Sequence, residues 1–150
     1  MKLLFVCTGN ICRSPMAEGL VNNICIKNNY KNIFCDSAGL FNYHIGSPPD
    51  NRAIKVSKKY NVEIGNLRAR KINTKDFDKF DLIIGMDKGH IFNLKKINNK
   101  HNNIKLYLDF TKNFKNQDVL DPYYGSIMNF EKTFQLIKIG AEAIVEKFKC

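Results

Sequence analysis

Leu3-Leu4-Phe5-Val6-Cys7-Thr8-Gly9-Asn10-Ile11-Cys12-Arg13-Ser14-Pro15 decides the fold, because it reads as strand, loop and helix start in succession. Residues 2–6 form a short, mostly apolar run that stops at the turn-forming Thr8-Gly9-Asn10, which predicts a buried strand entering a loop. Ser14-Pro15 signals a helix start, since proline in the first turn gives up no donor that the helix needs. Glu18 is expected in that first turn, and Met16, Leu20 and Ile24 recur along one face.

The alternation continues downstream. Residues 32–37 read as a second strand ending at Ala38-Gly39, and residues 41–49 as a loop rich in Asn, Gly, Ser and Pro. Helix is expected over 50–60, a buried strand over 81–86, helix over 88–97 and a fourth strand over 104–108. Phe130, Phe134, Ile137, Ala141, Ile144 and Phe148 form the stripe of a core-facing final helix. Strands alternating with helices imply an α/β fold, a single doubly wound, flavodoxin-like domain over residues 1–150, with a parallel sheet covered by helices on both faces. Ligands of such a sheet bind beyond the carboxyl ends of the strands, so chemistry is expected in the loop after the first strand.

Composition narrows the class. A chain of 150 residues with 44% apolar and 25% charged side chains is an ordinary globular domain, able to bury roughly two-thirds of its unfolded surface. No apolar run approaches the ~20 residues of a membrane span, and the longest near the start, residues 3–7, falls short of a signal peptide's ~7–15-residue apolar region, so a cleaved signal is not expected. Five cysteines without a C-x2-C pair argue against a disulfide framework and a zinc site, so a reducing cytoplasmic location is expected. The net charge of +10 favours anionic partners. A nucleic-acid partner is not expected, because the basic residues neither cluster with aromatics nor form a known module, and Lys58-Lys59 and Lys95-Lys96 read as solvated faces.

Cys7 sits at a strand end and Arg13 six residues later at a helix start, so thiol and guanidinium are expected to face one small cup. Backbone N–H groups and the helix amino terminus would line it, which suits a tetrahedral dianion. The same field favours a thiolate, making Cys7 a candidate nucleophile for phosphoryl transfer. The C-x5-R spacing alone is weak: five Cys and four Arg give (5/150) × (4/150) × 144, or roughly 0.13 chance matches. Its position between an apolar strand and a Ser-Pro helix start carries the reading.

Residues 6–18, Val6-Cys7-Thr8-Gly9-Asn10-Ile11-Cys12-Arg13-Ser14-Pro15-Met16-Ala17-Glu18, resemble the signature of the low-molecular-weight protein tyrosine phosphatases. Ser37-Ala38-Gly39, Phe80-Asp81-Leu82-Ile83-Ile84-Gly85-Met86-Asp87 and Asp121-Pro122-Tyr123-Tyr124-Gly125 resemble that family's later landmarks, in order. The resemblance implies a four-stranded parallel sheet, no metal and no organic cofactor. It implies that Cys7 attacks phosphorus, that Arg13 and the loop Thr8, Gly9, Asn10, Ile11, Cys12 and Ser14 hold the phosphate, and that Asp121 protonates the leaving oxygen. Asn10 and Ser37 would brace the loop, and Phe41, Tyr43, Tyr123 and Tyr124 would wall the substrate cleft.

Phosphotyrosine proteins or peptides are the implied substrates, and a monomer is expected. Tyr123 and Tyr124 are also candidate targets of a tyrosine kinase, and Cys12 a candidate redox partner of Cys7. Cys25, Cys35 and Cys150 are read as structural or incidental, His44 as a loop residue near substrate, and His90 and His101 as surface residues. One position departs: Leu67 stands where the family often has a histidine that ties down the phosphate loop. Relatives that reduce arsenate need cysteines where this chain has Gly85-Met86-Asp87-Lys88. Relatives that cleave phosphoarginine tend to carry threonine at Ile11, whose apolar side chain here suits a phenyl ring. A phosphate-binding module without catalysis would be expected to lack the nucleophile or the acid, and both are present.

Overall fold

A computed structural model describes residues 1–100 and 102–150, so His101 lies outside the described residues. The strands are β1 (Lys2–Cys7), β2 (Phe34–Gly39), β3 (Leu82–Gly85) and β4 (Ile104–Leu106). They form one parallel sheet in the order β2-β1-β3-β4. The helices are α1 (Arg13–Lys27), α2 (Asn51–Lys59), α3 (Asp76–Lys79), α4 (Lys88–Ile97) and α5 (Ile127–Phe148).

Side-chain alternation along β1 explains the two layers. Leu3, Phe5 and Cys7 face one core with Met16 and Leu20 of α1, Ala53 and Val56 of α2, and Phe130, Phe134 and Ile137 of α5. Leu4 and Val6 face the other with Phe77 of α3 and Leu94 of α4. Each of these large side chains contributes about 1.5–3 kcal/mol by leaving water. The stripe of α5 is buried from Phe130 to Ile144 as its spacing predicts. Lys58, Lys59, Lys95 and Lys96 are exposed.

Two local expectations are corrected, and one short helix was not anticipated. The fourth strand stops at Leu106, because Tyr107–Phe110 turns into a 3₁₀ helix that buries Tyr107, with its hydroxyl donating to the Ile137 carbonyl at 2.7 Å. α1 begins at Arg13, which leaves no acidic residue in its first turn and places Glu18 in the buried second turn. α3 had no periodicity to announce it, at four residues.

The strand order reverses direction between β1 and β3, and their carboxyl ends carry the loops beginning at Cys7 and Met86. That is the switch point where such sheets bind ligands. Cys7 pairs with Gly39 across the sheet. A Cβ at Gly39 would stand 3.0 Å from the Thr8 carbonyl oxygen and the Gly9 carbonyl carbon, so only glycine lets β2 end against the loop.

Candidate active site

Residues 8–12 wrap the amino terminus of α1 into a cup. The carbonyls of Cys7, Thr8 and Ile11 accept from the N–H groups of Leu40, Phe41 and Asp50 at 2.9, 3.1 and 2.8 Å. Among the described residues, no backbone N–H of residues 8–12 donates to another protein group. Asn10 holds the bend at φ 58°, a left-handed conformation that asparagine tolerates better than most residues. No side chain caps α1 at Cys12, so its first N–H groups remain available to an anion. Cys7, Thr8, Gly9, Ile11, Cys12 and Arg13 form the floor of a cavity of about 190 Å³.

A directional hydrogen-bond chain braces this loop. Asn10 Oδ1 accepts from the Arg70 backbone N–H at 3.0 Å, which turns Nδ2 toward Ser14 Oγ and Ser37 Oγ, each at 2.9 Å. Ser37 donates in turn to Glu18 Oε2 at 2.5 Å. Ser14 Oγ, which accepts from Asn10, lies 3.0 Å from Cys7 Sγ and 3.5 Å from the Ala38 carbonyl, so its proton can turn to a thiolate at Cys7. The Leu67 departure therefore leaves Asn10 satisfied: the Arg70 main chain supplies the donor, while Leu67 packs against the core. Arg70 is itself fixed by Asp36 and Asp76, both at 3.0 Å.

Arg13 is almost wholly buried, and its Nη1 donates to Asp87 Oδ2 and the Val119 carbonyl, both at 2.8 Å. Its Nη2 stands 3.6 Å from Asp121 Oδ2 and 3.4 Å from Thr8 Oγ1. Burial would raise the Asp87 carboxyl, but His90 and Arg13 hold it below its ordinary range. His90 is not on the surface. It is buried beneath the loop, with Nε2 3.0 Å from Thr8 Oγ1, because its capping box with Asp87 folds the ring back over the end of β3. Asp87-x-x-His90 directly after a strand was the readable sign of that box. Burial pushes the Cys12 thiol far above its ordinary value, so Cys12 stays neutral beside Cys7.

The mouth is built by two loops. Tyr43 and His44 line one side, Asp121, Tyr123 and Tyr124 the other. Phe41 is not in the wall; it stacks on Tyr43 at 5.2 Å, supporting it from outside. Arg52 was missed by the sequence reading. Held by Asp50 at 2.9 Å, it donates to the carbonyls of Tyr123 and Gly125, each at 2.9 Å, and lies over the Phe130 ring at 4.4 Å. This ties the loop of Asp121 to α2. The Asp121 carboxylate also accepts from the Tyr123 N–H at 3.0 Å. Cys25, Cys35 and Cys150 are free thiols outside the cavity.

Two buried groups here give stability a pH dependence. Burial raises Glu18 from 4.5 to about 7, so the folded chain holds a proton that the unfolded chain loses, and stability falls as pH rises across that window. Burial, then the Arg13 charge, lowers His90 from 6.5 to about 4, so stability rises with pH across that one. The two slopes oppose each other between 4.5 and 6.5. Glu18→Gln removes the falling slope, so its urea-unfolding free energy is expected to climb more steeply with pH there than that of the wild type. An unchanged slope would contradict the assignment of Glu18.

The family model for low molecular weight phosphotyrosine protein phosphatase matches residues 2–149. The enzyme of that name from Saccharomyces cerevisiae is 39% identical, the match covering 98% of this chain and 94% of that one. The crystal structure of YfkJ from Bacillus subtilis superposes with a TM-score of 0.91 at 38% identity, covering 100% of this chain and 97% of the other. The arginine phosphatase DARP of Drosophila gives 0.92 at 29% identity, covering 100% and 99%. With family match and relatives both spanning nearly its whole length, the chain belongs to the low molecular weight phosphotyrosine protein phosphatases.

Proposed function

We propose that this chain hydrolyses phosphotyrosine in proteins or peptides, and small aryl phosphates, through a phosphocysteine intermediate. The observation that carries the reading is the cup itself: the Cys7 sulfur, Arg13 guanidinium and Asp121 carboxylate converge on one cavity whose floor presents unpaired N–H groups, with the buried Ser14 hydroxyl against the sulfur. The Cys7 thiolate attacks phosphorus while Arg13 and the loop amides bind the equatorial oxygens, a preorganised field for the charge of the transition state. Asp121 gives its proton to the departing phenol oxygen. The same carboxylate then takes a proton from the water that attacks phosphocysteine, returning the thiolate and inorganic phosphate.

The arriving phosphate dianion competes with the Asp121 carboxylate for Arg13, now 3.6 Å away, which frees Asp121 to meet the leaving group. Tyr43, Tyr123 and Tyr124 hold the substrate ring, and Ile11 adds an apolar contact at the cavity floor. Tyr124, 92% exposed, is the more accessible of the two candidate kinase targets. Cys12 is positioned in the same cavity to condense with a Cys7 sulfenic acid, releasing water and leaving a disulfide that a thiol reduces. Its free thiols suit a monomer working in a reducing cytoplasm.

Turnover of an aryl phosphate, a phosphotyrosine peptide and phosphoarginine in metal-free buffer tests the proposal. The two aryl substrates are expected to be preferred. Preference for phosphoarginine would overturn the substrate assignment while keeping the thiol chemistry.

A further inference from the structure

Thr8 and His90 lie outside the thiol chain and the acid loop, yet both touch Arg13. Thr8 lines the cavity beside Cys7, and its Oγ1 meets His90 Nε2 at 3.0 Å and Arg13 Nη2 at 3.4 Å. The direction of the first contact depends on which ring nitrogen of His90 bears hydrogen. His90 Nδ1 faces the backbone N–H of Asp87 at 3.2 Å, the side-chain half of the capping box. That main-chain donor cannot reverse, so Nδ1 must offer its lone pair and the hydrogen sits on Nε2. The opposite tautomer would set two N–H groups against each other, with only Asp87 Oδ1 at 3.4 Å to accept, an oxygen that already receives the His90 backbone N–H at 2.8 Å. It would gain in return only a long contact with Arg13, at 3.4 Å. Burial, and after it the Arg13 charge, discourages a second proton on the ring, which keeps His90 neutral.

Thr8 Oγ1 therefore receives hydrogens from His90 and Arg13, and both its lone pairs are engaged. Its own hydrogen has no acceptor among the described residues and turns into the cavity. We propose that Thr8 is a phosphate-binding residue whose hydroxyl donates to a phosphoryl oxygen, and that His90 is the positioning residue that aims it. This rests on the phosphatase reading and adds to it one side-chain donor beyond Arg13 and the loop amides. It also gives the buried histidine a purpose: a neutral ring donates to Thr8 without competing with Arg13 for the dianion.

The test has two arms. Nitrogen-15 spectra of the wild type at pH 7 report the His90 tautomer without any substitution. The Nε2–H form is expected, and the Nδ1–H form would overturn the proposal. In the second arm, Thr8→Val is expected to lower kcat/KM for an aryl phosphate and weaken competitive inhibition by inorganic phosphate, each about tenfold or more, the scale of one hydrogen bond to a charged group. Thr8→Ser, which keeps the hydroxyl, recovers most of the loss. His90→Leu shows the same loss, His90→Gln restores part of it through its amide N–H, and Thr8→Val with His90→Leu is no worse than either alone. An undiminished Thr8→Val, or additive losses in the double variant, would overturn the proposal while wild-type turnover leaves the phosphatase reading standing. An inactive wild type would remove that reading instead.

Discussion

Cys7→Ser is expected to abolish turnover of every phosphate ester, by about 10⁴-fold or more, while inorganic phosphate still binds. The cup does not depend on the sulfur: the outward carbonyls of Cys7, Thr8 and Ile11, the Asn10 brace and the Arg13 contacts are all made by other atoms. What is lost is the thiolate. A serine hydroxyl ionises far less readily, and its partner 3.0 Å away, the Ser14 hydroxyl, is no general base. Phosphate binding measured by isothermal titration on the variant, beside its residual turnover, separates the two effects. Retained turnover would remove Cys7 from the reaction.

The second large effect belongs to Asp121. Asp121→Ala is expected to lower kcat/KM by about 10²–10⁴ for phenyl phosphate, whose leaving oxygen needs a proton, and by much less for an ester of an acidic phenol. The carboxylate stands partly exposed at the cavity mouth, within 3.6 Å of Arg13 and fastened through Tyr123 and Arg52, so its removal disturbs no buried packing. Urea unfolding of the variant is expected to match the wild type. Equal losses for good and poor leaving groups would show that Asp121 binds substrate rather than delivering a proton.

The architecture was legible because its signals are local. The β1 run, the Ser-Pro start of α1 and the α5 stripe each lie within one element, and each matches the structure within a few residues. The strand expected at residues 104–108 failed where tertiary packing intervened, since Tyr107 leaves the sheet to reach the Ile137 carbonyl on α5. Cys7, Arg13 and Asp121 were readable as candidates through the motif, and the structure brings them to one cavity. Of their supports, the resemblance gave Asn10 and Ser37, while Glu18 and Arg70 carried no sign of their part. The brace joins residues 7, 14, 10, 37, 18 and 70, which only the pairing of β1 with β2 and the approach of the Arg70 segment bring together. His90 was read as a surface residue although Leu94 follows it at helical spacing; its burial follows from the capping box at the end of β3. Arg52 carried no sign of its task, since both carbonyls it holds lie more than 70 positions away.

The central claim is a covalent bond between phosphorus and the Cys7 sulfur. Asp121→Ala mixed with the phosphate of an acidic phenol should release the phenol in a burst and then stall, because water at the phosphocysteine lacks its base. Acid quench at the end of the burst, followed by peptide mass spectrometry, is predicted to find one phosphoryl group per chain, on Cys7. Phenol released with no covalent phosphate, or phosphate on any other residue, would contradict the account.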